Sequence, residues 1–566
     1  MKNIISLKNK IVNRLLKRGY GFHNYPNNLR YIKKLNEKKN KKQIEIKPYA
    51  KDEAYTKKIT IHIATKKIIQ TPLLFWKSIQ SLNDPEDQAS AHRWIWAHQL
   101  LDSKIYTKRE KIDSINSLIN NWFYFFGSKV IDKANVMNES YTISERLANY
   151  VILSKLGIVK KNDLHINFLN KQLEYLSENL EFYYKKKSNH LLNNVRAIII
   201  YSNYTKQPHY LKFANKILDK LLIDFVDTDG FFKFCSSHYQ FIFTKWMSDI
   251  FLFAPTRKLF NSIYLLNLNA CNFFIVNDKN KIRIPLFGNV SPDIEPKFIT
   301  RLIFNIINKK NNKNNKNIFS NKYIKLFLKK KLNINITNIR SNKEWTKLIN
   351  KKIIIYTRNP EINGFDFNHS HNDYFHFVLF YQKKPILVDS GRESYLKKDE
   401  IYKLSKFHNS FLINNKNILD KLIDRTNITS ILFGIDFKYK INISSDSLLL
   451  TGSNKFFSFE RVIKVKDALI VIYNNLKINN PKDISFKLHL DNNIILKKNG
   501  KECRIISNGK IFLIKFVTKQ KLILKTTILK NKKNFEKYGD KVEHQLMDLC
   551  FKNTNKVNLQ IEIILK

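Results

Sequence analysis

The spacing of apolar residues changes once along this 566-residue chain, and that change limits its fold more than any other feature. From Thr71 to Phe304 apolar residues recur every three or four positions, with few Gly or Pro, as amphipathic helices require. The segments around Phe75-Trp76, Ala91 to Leu101, Ile115 to Phe126, Ser144 to Leu156, Leu191 to Tyr204, Tyr210 to Phe225 and Tyr239 to Phe253 each predict a helix. Successive helices with short connections build a bundle, a solenoid or a closed toroid, and no repeat is legible to choose among them. From about Lys352 onward the pattern alternates with period two. Strands are predicted over Tyr374 to Tyr381, Pro385 to Asp389, Ile431 to Ile443, Ser447 to Thr451, Ala468 to Asn474, Ile484 to Leu490, Ile511 to Val517, Leu522 to Leu529 and Val557 to Leu565. Short strands separated by Asn, Asp, Gly and Lys turns argue an antiparallel β-sandwich.

The expected organisation is therefore α+β and multidomain. Residues 1–70 form an N-terminal extension and 71–307 a helical domain. Residues 308–350 are a linker and connecting segment, because Asn308 to Asn317 is all Asn and Lys and can bury nothing, and 351–566 are the sandwich. No apolar run approaches the ~18 residues of a membrane-spanning helix. The basic start, Met1 to Lys8, forms no secretory apolar region, which predicts a cytoplasmic protein, or a periplasmic one if the natural start differs. Cys235, Cys271, Cys503 and Cys550 are scattered without a CxxC pair and read as buried thiols.

Net charge bears on partners. With 84 Lys, 16 Arg and 47 acidic residues the chain carries +53, which suits a polyanion such as an acidic polysaccharide. The excess of Lys over Arg, among abundant Asn and Ile, also fits compositional drift, since Arg is the better fork for phosphate or carboxylate. No basic helix with interleaved aromatics and no nucleic-acid motif is present, so nucleic acid is not an expected partner.

Four of the 14 histidines lie between 369 and 408. They sit in Phe367-Asn-His369-Ser-His371-Asn372-Asp373, in the strand that follows, and in Lys406-Phe-His408-Asn409. If His369 and His371 occupy a strand, both rings share one face about 6–7 Å apart. An adjacent antiparallel strand would bring up Asp389 of Pro385-Ile-Leu-Val-Asp389-Ser-Gly391. His371, Asp389 and His408 then offer N, O and N ligands suited to zinc with an open fourth position; hydrogen-bonded histidines in a sheet are the other reading. Two further clusters are helical: Ser188-Asn189-His190 to Arg196, where Ser188 or Asn189 can cap a helix, and Asp227-Thr-Asp229-Gly230 to Ser236-Ser237-His238-Tyr239-Gln240, a loop entering a helix with Tyr239 near its start.

Together these motifs resemble the heparinase II/III family of polysaccharide lyases. The resemblance rests on Asn189-His190, Asp229-Gly230 with Ser236 to Tyr239, His369 to Asp373, Val388 to Gly391, His408-Asn409, and Ser144-Glu-Arg146-Leu-Ala-Asn149, in order over roughly residues 70 to 415. It implies an incomplete (α/α) toroid followed by an antiparallel β-sandwich. It also implies β-elimination at a uronic acid within an acidic polysaccharide, with Asn189, His190, Tyr239 and His369 as catalytic residues. Asn189, aided by His190 or His369, would neutralise the carboxylate, with donors worth about 10²–10³ each in rate. Tyr239 would move the proton as base or acid, with His190 or His369 taking the other part. By the same resemblance His371, Asp389 and His408 would hold a structural zinc, while Arg146, Arg196 and Tyr402 are candidate substrate contacts. The chain departs from the family pattern with Phe234 or Cys235 in place of Glu, Gln240 in place of His, and Gly288-Asn289 in place of an acidic Gly-Asp loop running to Asp293. A uronyl C5-epimerase and a non-catalytic binder of acidic glycans are the alternatives; an intracellular member would make or trim a bacterial surface polysaccharide.

Overall fold

The computed structural model describes residues 49–565 except 128–134, 182–188, 234–235, 279–280, 311–316, 338, 343, 360–368, 370, 372, 390–403, 417–436, 492, 500–501, 508–509 and 530–543. The chain divides into two compact units, each assembled from separate stretches. One comprises Met1–Lys233, Gln240–Asn272 and Ser291–Ile336; the other comprises Phe234–Tyr239, Phe273–Val290 and Thr337–Lys566.

Twelve α-helices occur among the described residues: α1 (Pro72–Ile79), α2 (Pro85–His92), α3 (Trp96–Asp102), α4 (Lys108–Phe126), α5 (Ser140–Lys155), α6 (Asp163–Glu178), α7 (Asn189–Tyr204), α8 (Pro208–Phe225), α9 (Ser237–Phe253), α10 (Lys258–Phe274), α11 (Pro296–Ile307) and α12 (Ile318–Lys329). Their starts follow local chemistry. Pro occupies the first turn of α1, α2, α8 and α11, and α4 opens on a capping box between Thr107 and Glu110. Helix α8 buries Tyr210, Phe213, Ala214, Ile217, Leu218, Leu221, Leu222 and Phe225, a single stripe. Helix α5 is different: every residue from Ser140 to Leu153 is buried, Glu145, Arg146 and Asn149 included. It packs against α7, which in turn packs against α8.

Three boundaries differ from expectation. The helix predicted over Ala91 to Leu101 is two, because Trp94 between α2 and α3 has φ +60°, which a right-handed helix cannot contain. A hairpin of β1 (Ile59–Ile63) and β2 (Lys66–Gln70) lies within the expected N-terminal extension, with Ile59, Ile61 and Ile63 buried in alternation. The expected linker contains α12, which buries Phe319, Tyr323, Ile324 and Phe327, and ends in β5.

The second unit is an antiparallel β-sandwich, and it also holds the short pair β3 (Val276–Asp278) and β4 (Lys281–Arg283). Strands β5 (Trp345–Asn350), β6 (Ile353–Arg358), β7 (Phe377–Tyr381) and β8 (Lys384–Leu387) form a four-stranded sheet in sequence order. The larger sheet runs β10 (Lys438–Ile443), β11 (Ser447–Ser453), β12 (Phe457–Lys466), β13 (Leu469–His489), β18 (His544–Leu565), β16 (Lys510–Val517), β15 (Glu502–Ser507) and β14 (Ile494–Asn499). In addition β17 (Ile523–Leu529) pairs with β18, and β9 (Phe411–Ile413) with β13. One apolar core joins Leu348, Ile353, Ile355 and Leu379 of the small sheet to Leu448, Leu450, Ile463, Ile472 and Ile561 of the large one. Two strands predicted over Ala468 to Asn474 and Ile484 to Leu490 are the single long β13, irregular between Lys477 and Ile484 where its register with β18 shifts. No described helix is long and apolar enough to cross a membrane. Cys271 and Cys503 are buried free thiols and Cys550 a half-buried one.

Candidate functional site

In the sandwich unit, Ser236 caps the first turn of α9: its hydroxyl accepts from the Tyr239 N–H at 3.3 Å and donates to the Asn289 carbonyl at 2.7 Å. The Ser237 hydroxyl donates to the Pro285 carbonyl at 2.6 Å. These bonds tie Tyr239 to the stretch that carries Asn289. The Tyr239 ring stacks on His369, centroids 3.6 Å apart and planes 18° from parallel, and both side chains are buried. The Asn289 N–H donates to the His369 carbonyl at 2.9 Å. Its side-chain amide nitrogen lies 3.4 Å from Nδ1 of His369, and its oxygen 2.9 Å from Nε2 of His371.

His369 and His371 are not in a strand, contrary to one premise above; they precede β7 in irregular backbone. Their segment is held instead by Asp373, whose carboxylate pairs at 2.6 Å with the buried Arg358 of β6. The ligand atoms of His371, Asp389 and His408 all lie within 4.8 Å of one another, and all three residues are buried. Asp389 follows β8 and accepts from Nδ1 of His408 at 2.9 Å. A fourth histidine, His376, places Nε2 3.2 Å from the same carboxylate oxygen, while its Nδ1 accepts from the Asn409 N–H at 2.9 Å. Burial alone would raise the Asp389 pKa, yet His408 and His376 hold it well below the usual carboxylate range. The site therefore has an ionised oxygen donor between imidazoles at neutral pH. This donor set fits a zinc ion, with His376 as an outer partner of the carboxylate.

Asn409 explains how His408 reaches this place. Its side chain donates to the carbonyls of Phe377 and Val388 and accepts from the His489 N–H, joining β7, the end of β8 and β13. The buried Arg461 donates to the carbonyls of Phe375 and Asn409 and to the Asn474 side chain, with burial pulling its pKa down to about 9.

Comparison with known proteins agrees with this architecture. Residues 344–561 match the family model described as heparinase II/III-like, C-terminal. The chain carries a heparinase II/III-like C-terminal domain. No curated protein matches the sequence. Among solved structures, a heparinase III is similar over 85% of this chain and 77% of its own, at 12% identity and TM-score 0.60. The heparan sulfate lyase HepC from Pedobacter heparinus is similar over 95% of this chain and 88% of its own, at 13% identity and TM-score 0.52. The fold is thus a helical toroid followed by an antiparallel sandwich.

In the helical unit, Asn189 opens α7 and is buried, and His190 beside it is partly exposed. Nδ1 of His190 lies 2.8 Å from Glu181, whose other oxygen accepts from Asn194 at 3.0 Å; Tyr141 lies against the ring at 4.6 Å. Burial lowers the pKa of His190, but the Glu181 hydrogen bond and charge, with Glu139 behind them, raise it above 6.5 on balance. Because the folded value is raised, this pair stabilises the protein below the unfolded value and loses that contribution as pH climbs through the folded one. Glu181→Gln is expected to lower the thermal midpoint most at mildly acidic pH, with the difference from wild type shrinking under alkaline conditions.

Arg146 and Arg196 correct the sequence reading. Both are wholly buried. Arg146 donates to Gln172 and to the carbonyls of His92 and Met137, and burial pushes its pKa down to about 9. Arg196 pairs with Glu145 at 3.1 Å and Asp249 at 2.7 Å. Neither offers a guanidinium to a sugar acid, because α5 is buried all round and α7 packs on it. Tyr402, Phe234, Cys235 and Gly391 lie outside the described residues. Gln240 is buried and accepts from the Phe232 N–H at 2.8 Å, bracing the loop in which Gly230, at φ +89°, leaves no room for a Cβ beside Leu266. Asp293 is an internal partner of Arg93 at 2.9 Å. The residues that sequence reasoning passed over are Asn289, His376, Arg358 and Arg461. Asn289 and His376 stood within or beside quoted motifs, and the two arginines gave no signal.

Proposed function

We propose that the protein is a polysaccharide lyase that cleaves a uronic-acid-containing acidic polysaccharide by β-elimination. The observation that carries this reading is the Tyr239–His369 stack, held by Asn289 beside the His371, Asp389 and His408 cluster. A phenol and an imidazole on one braced platform supply the two groups that elimination needs. One takes the C5 proton, the electron pair forms the C4–C5 double bond, the C4–O4 bond breaks, and the other gives a proton to the leaving oxygen. The uronate carboxylate must be met by donors before C5 is acidic enough, a role proposed for Asn189, aided by His190 or His369. His371, Asp389 and His408 would hold a zinc ion, whose chemistry here is to fix the loops that carry the histidines. The overall charge of +53 favours an anionic substrate.

The test is a panel of uronic polysaccharides followed by the ultraviolet absorbance of unsaturated uronate. A rise with wild type, lost in His369→Ala while glycan binding persists, is expected. Deuterium uptake at C5 without an absorbance rise would replace elimination by epimerisation. Binding without either, unchanged in Tyr239→Phe, would leave a glycan-binding protein. The place of action is proposed as cytoplasmic.

A further inference from the structure

We propose that Asn289 is a positioning residue that gives the two neighbouring histidines opposite proton arrangements. A carboxamide oxygen can only accept and a carboxamide nitrogen can only donate. The oxygen, 2.9 Å from Nε2 of His371, therefore requires a proton on that nitrogen and leaves the Nδ1 electron pair of His371 as the ligand for a metal. The nitrogen, 3.4 Å from Nδ1 of His369, takes up the electron pair of that ring and places the proton of the neutral imidazole on Nε2.

Burial and backbone bonds hold Asn289 in place, and the cluster of His371, Asp389 and His408 selects this orientation of its amide. Asn289 is fully buried. Its own backbone is clamped on both sides, by its N–H to the His369 carbonyl and by Ser236 to its carbonyl. The reverse orientation would put the His371 proton on Nδ1 and remove that ring from the donor set shared with Asp389 and His408. An aspartate here, as in the acidic loop the chain departs from, has acceptors only and would demand an N–H from both rings. Asparagine separates them.

The consequence deepens the lyase reading and rests on it. With its Nδ1 electron pair met by the Asn289 amide, His369 presents Nε2–H to substrate and has no electron pair there to accept the C5 proton. His369 is then the hydrogen-bond donor to the uronate carboxylate, and Tyr239, as phenolate, takes the C5 proton and returns it to the leaving O4.

The experiment uses the full chain with Asn289→Asp and Asn289→Ala. Zinc affinity is read by competition with a chromophoric chelator, kcat and KM by product absorbance, and folding by thermal midpoint. Asn289→Ala, which leaves His371 without its acceptor, should weaken zinc by about 10–100-fold. Asn289→Asp keeps that acceptor and should hold zinc close to wild type, yet lose about 10-fold or more in kcat with KM little changed, because His369 is turned over. Zinc binding by Asn289→Ala equal to wild type, no zinc binding by wild type, or wild-type kcat in Asn289→Asp would each overturn the proposal. So would parallel loss of zinc, kcat and thermal midpoint in both variants, the mark of a merely structural role. If wild type makes no unsaturated product from any glycan but the zinc results fall as stated, the lyase reading fails and the hold of Asn289 on His371 stands.

Discussion

On the proposed lyase reading, Tyr239→Phe is expected to lower kcat for elimination by about 10²–10⁴ while KM and the thermal midpoint stay near wild type. The expected size follows from what the hydroxyl does and does not do. Removing it deletes one oxygen from a ring whose packing is dominated by a face-to-face contact with His369 at 3.6 Å, and that contact survives in phenylalanine. The cap from Ser236 to the Tyr239 N–H involves backbone only and survives as well. What is lost is the group proposed to take the C5 proton. Steady-state kinetics on the best substrate from the glycan panel, with a melting curve, decides it. A variant that retains more than about a tenth of wild-type kcat would remove Tyr239 from proton transfer.

Arg196→Ala is expected to destabilise the fold by about 3–5 kcal/mol without raising KM in whatever population remains folded. Arg196 and Lys245 face Glu145 and Asp249 in a buried set of two positive and two negative groups. Trp246 donates to Glu145 at 3.0 Å and Tyr323 to Asp249 at 2.6 Å, so the carboxylates are committed on several sides. Deleting the guanidinium leaves two buried carboxylates with Lys245 alone, and an uncompensated buried charge is among the costliest single changes. Urea titration measures the loss. An unchanged midpoint together with a raised KM would restore Arg196 to the list of sugar contacts.

The layout of helices then sandwich was legible because each unit buries one face of most of its elements, and burial imprints period 3.6 or period two. Where an element is buried all round, the imprint fails. Helix α5 is such a case, and Arg146 on it was read as a ligand contact since nothing in Ser144-Glu-Arg146-Leu-Ala-Asn149 distinguishes an inward arginine from an outward one. Trp94 shows another limit: a left-handed residue splits a run whose apolar spacing looks continuous. The meeting of His371, Asp389 and His408, and of Tyr239 with His369, follows the motif order in the sequence. Asn289 was not legible there, because its importance lies in meeting residues 80 positions away through a side-chain amide, and loop asparagines are common in this chain.

The sandwich unit draws residues 234–239 and 273–290 from within the helical part of the sequence. A gene fragment encoding only residues 344–561, the portion the family model recognises, would inherit His369, His371, Asp389 and His408 but neither Tyr239 nor Asn289. Such a fragment would pass on the proposed metal ligands without the phenol and the amide proposed to act with them. Recombination at the apparent domain border would therefore separate the residues of the proposed site.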